Sequence, residues 1–241
     1  MWNTPRIGLL VGPRNVQSVD LRQRKPLGSF AQLAQALEPL AGSRARLELV
    51  LSDAYCRYLV VTRPAGIRNR AELAAALEGR FRAMFGEAES WRFCHEASPT
   101  TDLDFVAGAD GVLLDDIEER AQATGLRITS VRPHWVAWAQ HFHRHTRRGN
   151  HWVVGTDGAW VTLGYFSQGL CRQARALRAM GNDTDLEDLL ARERAFLDDV
   201  DPGAPVWLGG AGLSVPTTLS TGASLTAADP QALWGWPESR T

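Results

Sequence analysis

Cysteine is scarce in this sequence, and the cysteines that occur match no metal-binding or redox motif. The 241 residues include three cysteines, Cys56, Cys94 and Cys171. They are odd in number and far apart, and they form neither a CxxC pair nor a zinc-ligand spacing. Such a set is typical of free thiols in a reducing compartment. The cysteine content argues against a disulfide-stabilised secreted protein and predicts a cytoplasmic one.

Long apolar runs are also missing. Runs such as residues 58–61 and 112–114 fall far short of the roughly 20 residues that a membrane-spanning helix needs. The sequence begins Met-Trp-Asn-Thr-Pro, without the charged and then apolar pattern of a secretion signal. We therefore expect a protein that is neither exported nor inserted directly into a membrane.

The sequence has no excess of positive charge. Its 26 Lys and Arg residues are balanced by 27 Asp and Glu residues, which gives a net charge of -1. A nucleic-acid-binding protein needs a basic surface to neutralise phosphates, so nucleic acid is not an expected partner. The apolar content of 44% and the charged content of 22% are close to the averages of globular domains.

What the sequence does contain is an alternation of strand-like and helix-like segments. Strand-like runs occupy residues 7–11, 16–21, 47–51, 55–62, 91–94, 104–107, 126–131, 152–154, 159–165, 169–175 and 206–208. Apolar residues at three- and four-residue spacing predict helices over 30–40, 70–85, 111–124 and 134–145, and a further helix after the capping box of Thr184 and Glu187. This alternation favours an α/β architecture over a helical bundle or a β-sandwich.

The region from residue 214 onwards has a different composition. It is rich in Ser, Thr, Gly and Pro, which predicts an irregular segment. Trp234 and Trp236 are large apolar side chains that could anchor this segment to the rest of the protein.

Five segments, in this order and spacing, carry a resemblance to a known family. They are Ile7-Gly-Leu-Leu-Val-Gly-Pro13 with its return strand 16–21, Leu49-Val-Leu-Ser-Asp53 with Arg57-Tyr58, Val131-Arg-Pro133, Trp152-Val-Val-Gly-Thr-Asp-Gly158, and Val206-Trp-Leu-Gly-Gly-Ala-Gly212. Over about residues 6–213 the chain resembles the actin-like cytoplasmic fold of the type IV pilus assembly protein PilM. It resembles equally the cytoplasmic part of the type II secretion protein GspL.

The resemblance implies a reduced two-lobed α/β fold of the actin-like (RNase H-like) type, with mixed sheets and flanking helices. Residues 1–132 would form the first lobe, residues 133–213 the second, and residues 214–241 an irregular tail. In GspL-like proteins a membrane span follows this region. None follows here, an arrangement more similar to that of PilM.

The resemblance also indicates where a nucleotide would bind. In actin-like ATPases an aspartate at the first hairpin organises magnesium, a cation that prefers oxygen ligands, but here Val11 and Gly12 stand near that point. If nucleotide binding is retained, the residues implied to contact ATP and magnesium are Asp157, Gly158, Gly209, Gly210 and Gly212. The missing carboxylate favours a degenerate member without catalytic residues or a cofactor, and an active ATP-binding protein remains the alternative.

The function implied by the resemblance is that of a non-catalytic scaffold. Such a scaffold would belong to a type IV pilus or type II secretion-like assembly platform of the inner membrane. Its partner would be the cytoplasmic segment of a membrane protein of that platform, with the assembly ATPase as a further candidate. The protein would then be cytoplasmic and peripheral to the inner membrane through its partner.

A cluster of histidines offers a second alternative. His141 and His145 share one face of the predicted helix at the i, i+4 spacing that can hold zinc, and His134, His143 and His151 lie nearby. No glutamate stands between the pair as in an HExxH motif, and the neighbouring arginines disfavour a cation. A basic helix end that complements the helix dipole accounts for the cluster equally well.

Overall fold

The computed structural model describes residues 4–86, 90–97, 101–178, 185–198, 200–211 and 219–234. The strands of these ranges are β1 Arg6–Val11, β2 Val16–Asp20, β3 Lys25–Phe30, β4 Arg46–Leu51, β5 Cys56–Thr62, β6 Trp91–Ala97, β7 Leu103–Asp110, β8 Arg127–Pro133, β9 Asn150–Asp157, β10 Trp160–Ser167, β11 Leu170–Arg178, β12 Val206–Ala211 and β13 Leu225–Ala227. The α-helices are α1 Leu33–Leu37, α2 Arg70–Phe85, α3 Gly111–Ala123, α4 His134–Thr146 and α5 Leu186–Arg194. Short 3-10 helices cover Glu38–Leu40, Asp53–Tyr55 and Pro230–Trp234.

The strands of the described ranges form three sheets. The first has the order β3-β2-β1-β4-β8, the second the order β11-β10-β9-β12-β13, and the small third sheet the order β5-β7-β6. The first sheet is mixed, because β1 is antiparallel to β2 and parallel to β4. The second is mixed as well, because β9 is antiparallel to β10 and parallel to β12. The predicted α/β class with mixed sheets is therefore confirmed.

Helix α4 lies between the two large sheets. It contacts β4 and β8 of the first sheet and β9 and β10 of the second, and it buries Trp135 and Trp138 almost completely. Since indole rings are large and flat, they need a surface without side chains to approach a sheet closely. Glycines supply that surface: a β-carbon added at Gly164 would lie 2.0 Å from Trp135 Cζ2, and one added at Gly209 would lie 2.0 Å from Trp138 Cδ2.

The predicted helix over residues 30–40 was wrong at its start. Phe30 ends strand β3, an edge strand that sequence reasoning missed, and α1 begins only at Leu33. Pro26 and Gly28 interrupt the apolar alternation of β3. An edge strand tolerates proline, because one of its two sides forms no ladder hydrogen bonds.

The prediction of an irregular tail over residues 214–241 was wrong for part of the tail. Residues 225–227 form β13, which pairs in parallel with β12, and the 3-10 helix Pro230–Trp234 follows. The ring of Trp234 covers the first sheet, since a β-carbon added at Gly8 would lie 2.6 Å from Trp234 Cζ3. Tertiary contacts impose this order on a segment of weak local propensity.

Three residues named in the sequence analysis, Thr184, Gly212 and Trp236, lie outside the described residues.

No helix in the part of the chain that the structure describes is long and apolar enough to cross a membrane.

Replacement of Gly164 by alanine tests the contact between α4 and the second sheet. The new methyl group would overlap the buried Trp135 ring, so Gly164→Ala should lower the free energy of unfolding by about 2 kcal/mol or more. Urea denaturation measures this loss. The matched control is Gly79→Ala in α2, where the added β-carbon meets no atom within 4 Å and helix propensity predicts a gain of about 0.5–1 kcal/mol. Equal effects at the two sites would contradict the packing argument.

Candidate functional site

Four of the five residues implied to contact nucleotide lie together near the C-terminal ends of two adjacent strands of the second sheet. Asp157 ends β9, and Gly209 and Gly210 lie in the adjacent strand β12, where they pair with Gly155 and Thr156. Gly158 follows in the turn to β10 with a φ of 57°, a left-handed conformation that favours glycine. The fifth residue, Gly212, lies outside the described residues.

The described residues lack one carboxylate that the resemblance implies for a magnesium nucleotide. Asp157 has a buried carboxylate oxygen, Oδ2, without a hydrogen-bond partner in the described part of the chain, but no carboxylate faces it from the turn between β1 and β2, whose residues are Gly12, Pro13, Arg14 and Asn15. The Trp138 ring covers the face of Gly209. Within the described ranges no group of three His, Cys, Asp or Glu residues is arranged to hold a metal ion.

A buried carboxylate lies instead where the two large sheets and the small sheet meet. Asp53 follows β4 and is 1% exposed. Its Oδ1 accepts hydrogen bonds from the Tyr58 hydroxyl and from the Trp135 backbone N–H at 3.2 Å, and its Oδ2 accepts one from the Thr162 hydroxyl at 2.9 Å. These donors belong to β5, α4 and β10, so one side chain ties together three elements that are far apart in sequence.

His134 extends this polar centre at the first turn of α4. It is 2% exposed, and its Nε2 accepts a hydrogen bond from Trp138 Nε1 at 3.1 Å. In a neutral imidazole the other nitrogen then carries the proton, and His134 Nδ1 lies 3.6 Å from Asp53 Oδ2. The negative charge of Asp53 also lies at the positive end of the α4 dipole.

The hydrogen bonds to Asp53 hold three elements in place, and the two titratable groups beside the carboxylate are both buried. Tyr58 is the nearest acidic hydroxyl, and burial, together with the negative charge of Asp53, raises its pKa well above the ordinary value. Burial also raises the pKa of the Cys56 thiol well above its ordinary value, and the Asp53 charge adds to this shift. Both groups therefore stay protonated near neutral pH, which makes them weak nucleophiles.

A groove of about 600 Å³ opens beside α4. Its floor is one face of α4, and its walls are strands β6 and β7 of the small sheet on one side and the β10–β11 hairpin on the other. Most of the lining side chains are apolar: Leu103, Phe105, Trp135, Val136, Ala139, Phe166 and Leu170. The polar lining groups are those of Glu96, Gln140, His143 and Cys171.

A second cavity of about 560 Å³ lies at the loop between β5 and α2. It is lined by Arg63, Arg68, Arg70 and His95, among others, and it shares Glu96 with the groove. Arg63 is held by two hydrogen bonds to the buried carboxylate of Asp104, at 3.0 Å from Nε to Oδ2 and 2.7 Å from Nη2 to Oδ1. The two cavities lie on opposite faces of the small sheet, because Phe105 lines the groove whereas Asp104, the partner of Arg63, points to the other face of β7.

The predicted histidine cluster does not converge on one point. His143 Nε2 accepts a hydrogen bond from Arg147 Nε at 3.2 Å. The His145 ring lies on Trp207, with 4.3 Å between the ring centroids, and His151 Nδ1 lies 3.4 Å from Trp207 Nε1. The geometry of the described residues thus lends the metal-binding hypothesis no support.

Sequence reasoning missed both Asp53 and the groove. One signal for Asp53 was available, because this aspartate comes two residues after the apolar end of β4, Leu49-Val50-Leu51, where burial is expected. The groove had no such signal, since its lining comes from α4 and two separate strand pairs.

Removal of the Asp53 carboxylate should be severely destabilising. Asp53→Ala leaves the Tyr58 hydroxyl, the Trp135 N–H and the Thr162 hydroxyl buried without an acceptor, at a cost of about 3 kcal/mol or more in the free energy of unfolding. The control is Asp20→Ala, which removes a carboxylate that accepts two backbone N–H groups in an exposed turn and should cost about 1 kcal/mol or less. Urea unfolding of both variants measures the difference, and similar losses would refute the central role of Asp53.

Comparison with known proteins identifies the fold. No protein-family model matches the sequence, and no curated protein sequence matches it. The PilM–PilN type IV pilus biogenesis complex contains a chain that is similar in structure, with a TM-score of 0.66 and 14% identity over 95% of this chain and 89% of that one.

Two further solved structures are similar over almost the whole chain. The cytoplasmic domain of EpsL, an inner-membrane component of the type II secretion system of Vibrio cholerae, has a TM-score of 0.62 and 13% identity over 96% of this chain and 92% of that one. A Bacteroides thetaiotaomicron protein of unknown function with an actin-like ATPase fold has a TM-score of 0.61 and 11% identity over 97% of this chain and 96% of that one. The chain therefore has the actin-like ATPase fold, as the resemblance implies.

Proposed function

We propose that this protein is a non-catalytic scaffold of a type IV pilus or type II secretion-like platform, and that the groove beside α4 holds the cytoplasmic segment of a membrane partner. The groove is the observation that carries the proposal. It is apolar along its floor and both walls, and a few polar groups lie among the apolar ones, as in sites that bind short peptides through apolar anchors.

The similar solved structures support this choice of partner. One is a complex of PilM with PilN in type IV pilus biogenesis, and another is the cytoplasmic domain of an inner-membrane secretion component. A protein of this fold at the inner membrane would act in the cytoplasm and be held there by its partner. The platform's assembly ATPase would be a second candidate for contact.

The absence of catalysis is part of the proposal. The turn between β1 and β2 carries no carboxylate for magnesium, and the ring of Trp138 occupies the face of Gly209. Neither cavity described above is lined by Asp157, Gly158, Gly209 or Gly210. The alternative of an ATP-binding protein draws on a different observation, the unpartnered Oδ2 of Asp157 next to the glycines of β12.

Calorimetric titration with ATP and magnesium separates these two functions. We expect no saturable binding at micromolar affinity, because the turn between β1 and β2 offers no carboxylate and one face of Gly209 is already covered by Trp138. Saturable heat that disappears in Asp157→Ala would assign Asp157 to a nucleotide site and would favour the alternative of an ATP-binding protein.

Filling the groove should release the partner. Ala139 lines the groove floor on α4, so Ala139→Arg would place a long charged side chain among the apolar anchors and should reduce partner capture by at least about tenfold, a loss of about 1.4 kcal/mol. The measurement is affinity capture from detergent-solubilised membranes with quantitative mass spectrometry.

The control for this experiment is Ala75→Arg, which introduces the same side chain on an exposed position of α2. The proposal requires capture of a pilus or secretion platform protein by the wild type and by the control, and loss of that protein with Ala139→Arg. Equal capture by both variants would show that the groove is not the binding site.

A further inference from the structure

We propose that strand β6 is a docking edge for a second copy of this chain, and that the two copies of β6 pair antiparallel with Cys94 at the centre. The small sheets β5-β7-β6 of the two copies would then join into one continuous sheet. The inference does not depend on the proposed function, because it concerns contact between two copies and not a membrane partner.

The outer edge of β6 is open. The strand ends the sheet order β5-β7-β6, and within the described ranges β7 is the strand that pairs with it. An open edge offers backbone N–H and C=O groups to another chain, and proteins often block such an edge with proline, with lysine or by keeping the strand short. The seven residues Trp91–Ala97 include neither proline nor lysine, so β6 has none of these blocks.

The other sheet edges of the described ranges are less suited to pairing with a copy of themselves. β3 carries Lys25 and Pro26, β13 has only three residues, and β5 and β11 lie against each other. β8 carries Arg127 and Arg132 without an acidic residue, so two copies of it would bring only like charges together. The sequence of β6, in contrast, contains charges of both signs.

The backbone of β6 presents alternate residues to the open side. The N–H of Gly111 donates to the carbonyl oxygen of Ser90 at 2.5 Å, so the Ser90 backbone points toward β7. Positions that bond the neighbouring strand alternate with positions that do not along an antiparallel pair. The N–H and C=O groups of Phe93 and His95 therefore point away from β7, where they can bond a further strand.

The side chains of β6 alternate between the two faces of the sheet. Phe93 faces α2, since its ring centroid lies 5.0 Å from that of Phe81. Arg92, Cys94 and Glu96 therefore project from the opposite face. All three are exposed, so no described element covers this side of the edge.

The order of the charges selects the register of the pair. Two identical strands that pair antiparallel are related by a two-fold axis, and with Cys94 at the centre each Arg92 lies opposite Glu96 of the other copy. Phe93 and His95 then exchange backbone hydrogen bonds across the contact. Centring the pair on Phe93 or on His95 would place Cys94 opposite Arg92 or Glu96 instead, without a pair of opposite charges.

The charge pairs define the register more than they determine the affinity. Asp115 and Glu118 of α3 already bind the Arg92 guanidinium, so Glu96 of the second copy would share Arg92 with two carboxylates. Exposed ion pairs contribute little, and a single strand edge buries less surface than a standard interface. We therefore expect a reversible dimer with a dissociation constant of about 10–100 µM.

The symmetry of this contact determines where the two grooves lie. The two-fold axis of an antiparallel strand pair stands perpendicular to the sheet, so the same face of both copies points the same way. Phe105, which lines the groove, pairs with Glu96 and shares its face of the sheet. The dimer would therefore carry both grooves on one side of the joined sheet.

Sedimentation equilibrium of the purified full chain, from about 5 to about 500 µM, measures this association. The wild type should form a reversible dimer. Glu96→Arg should raise its dissociation constant at least about tenfold, because two arginines would then face each other at each charge pair. The control is Glu38→Arg, which makes the same change of charge at an exposed position after α1 and should leave the dissociation constant unchanged.

Cross-linking through Cys94 gives an independent measurement. Opposite thiols at a non-hydrogen-bonded position are close enough to form a disulfide, and diamide oxidises two thiols to one disulfide while it takes up their hydrogens. Covalent dimer should form at least about tenfold faster in the wild type than in a variant that combines Cys94→Ser with Ala41→Cys. Ala41 is exposed and lies away from β6, so this variant reports random collisions.

Several results would overturn the inference. A chain that stays monomeric up to about 500 µM would do so. A dimer that Glu96→Arg leaves unchanged, or cross-linking that is as fast through residue 41 as through Cys94, would show that the contact lies elsewhere. The proposed function is tested separately by capture of a platform protein, because the sedimentation and cross-linking experiments use the purified chain without a partner.

Discussion

The Asp53 carboxylate holds the two lobes in register. Donors from β5, α4 and β10 converge on it, and almost no water reaches it. A buried charge is costly unless it is fully hydrogen-bonded, so only one relative placement of these elements satisfies it. If α4 is displaced, the Trp135 N–H loses its acceptor, Asp53 Oδ1. The position of the groove floor therefore depends on a residue that lies outside the groove.

Helix α4 packs against the second sheet with one face and lines the groove with another. One face carries the buried Trp138 against the glycine surface of the second sheet, and the neighbouring face presents Val136, Ala139 and His143 to the groove. Trp135 contributes to both. The Trp138 ring also fills the space against Gly209, so the packing of α4 covers one face of this strand β12 glycine.

The local sequence pattern predicted most of the helices and strands, but it did not predict the hydrogen-bonded centre at Asp53 or the groove. Helices α2, α3 and α4 begin and end within a few residues of the positions predicted from apolar spacing and glycine stops. Strand β3 was missed because Pro26 and Gly28 break its alternation, and β13 because its order comes from pairing with β12. The contact between Asp53 and Thr162 spans 109 residues, and no sequence spacing encodes such a convergence. Asp157 and the glycines of β12 lie in adjacent strands, and the nucleotide-binding role that the resemblance implies for them stays a prediction.

The packing of Trp234 on Gly8 has a consequence for the order of folding. Gly8 lies in the first strand and Trp234 in the last described helix, so the chain up to Trp234 must be synthesised before these two residues can pack together. Contacts of such long sequence separation are slow to form, and an uncovered sheet face is open to aggregation in the meantime. A ribosome-bound chain would therefore expose the surface around Gly8 until Trp234 has left the ribosome, and a chaperone that recognises apolar strands could bind that surface.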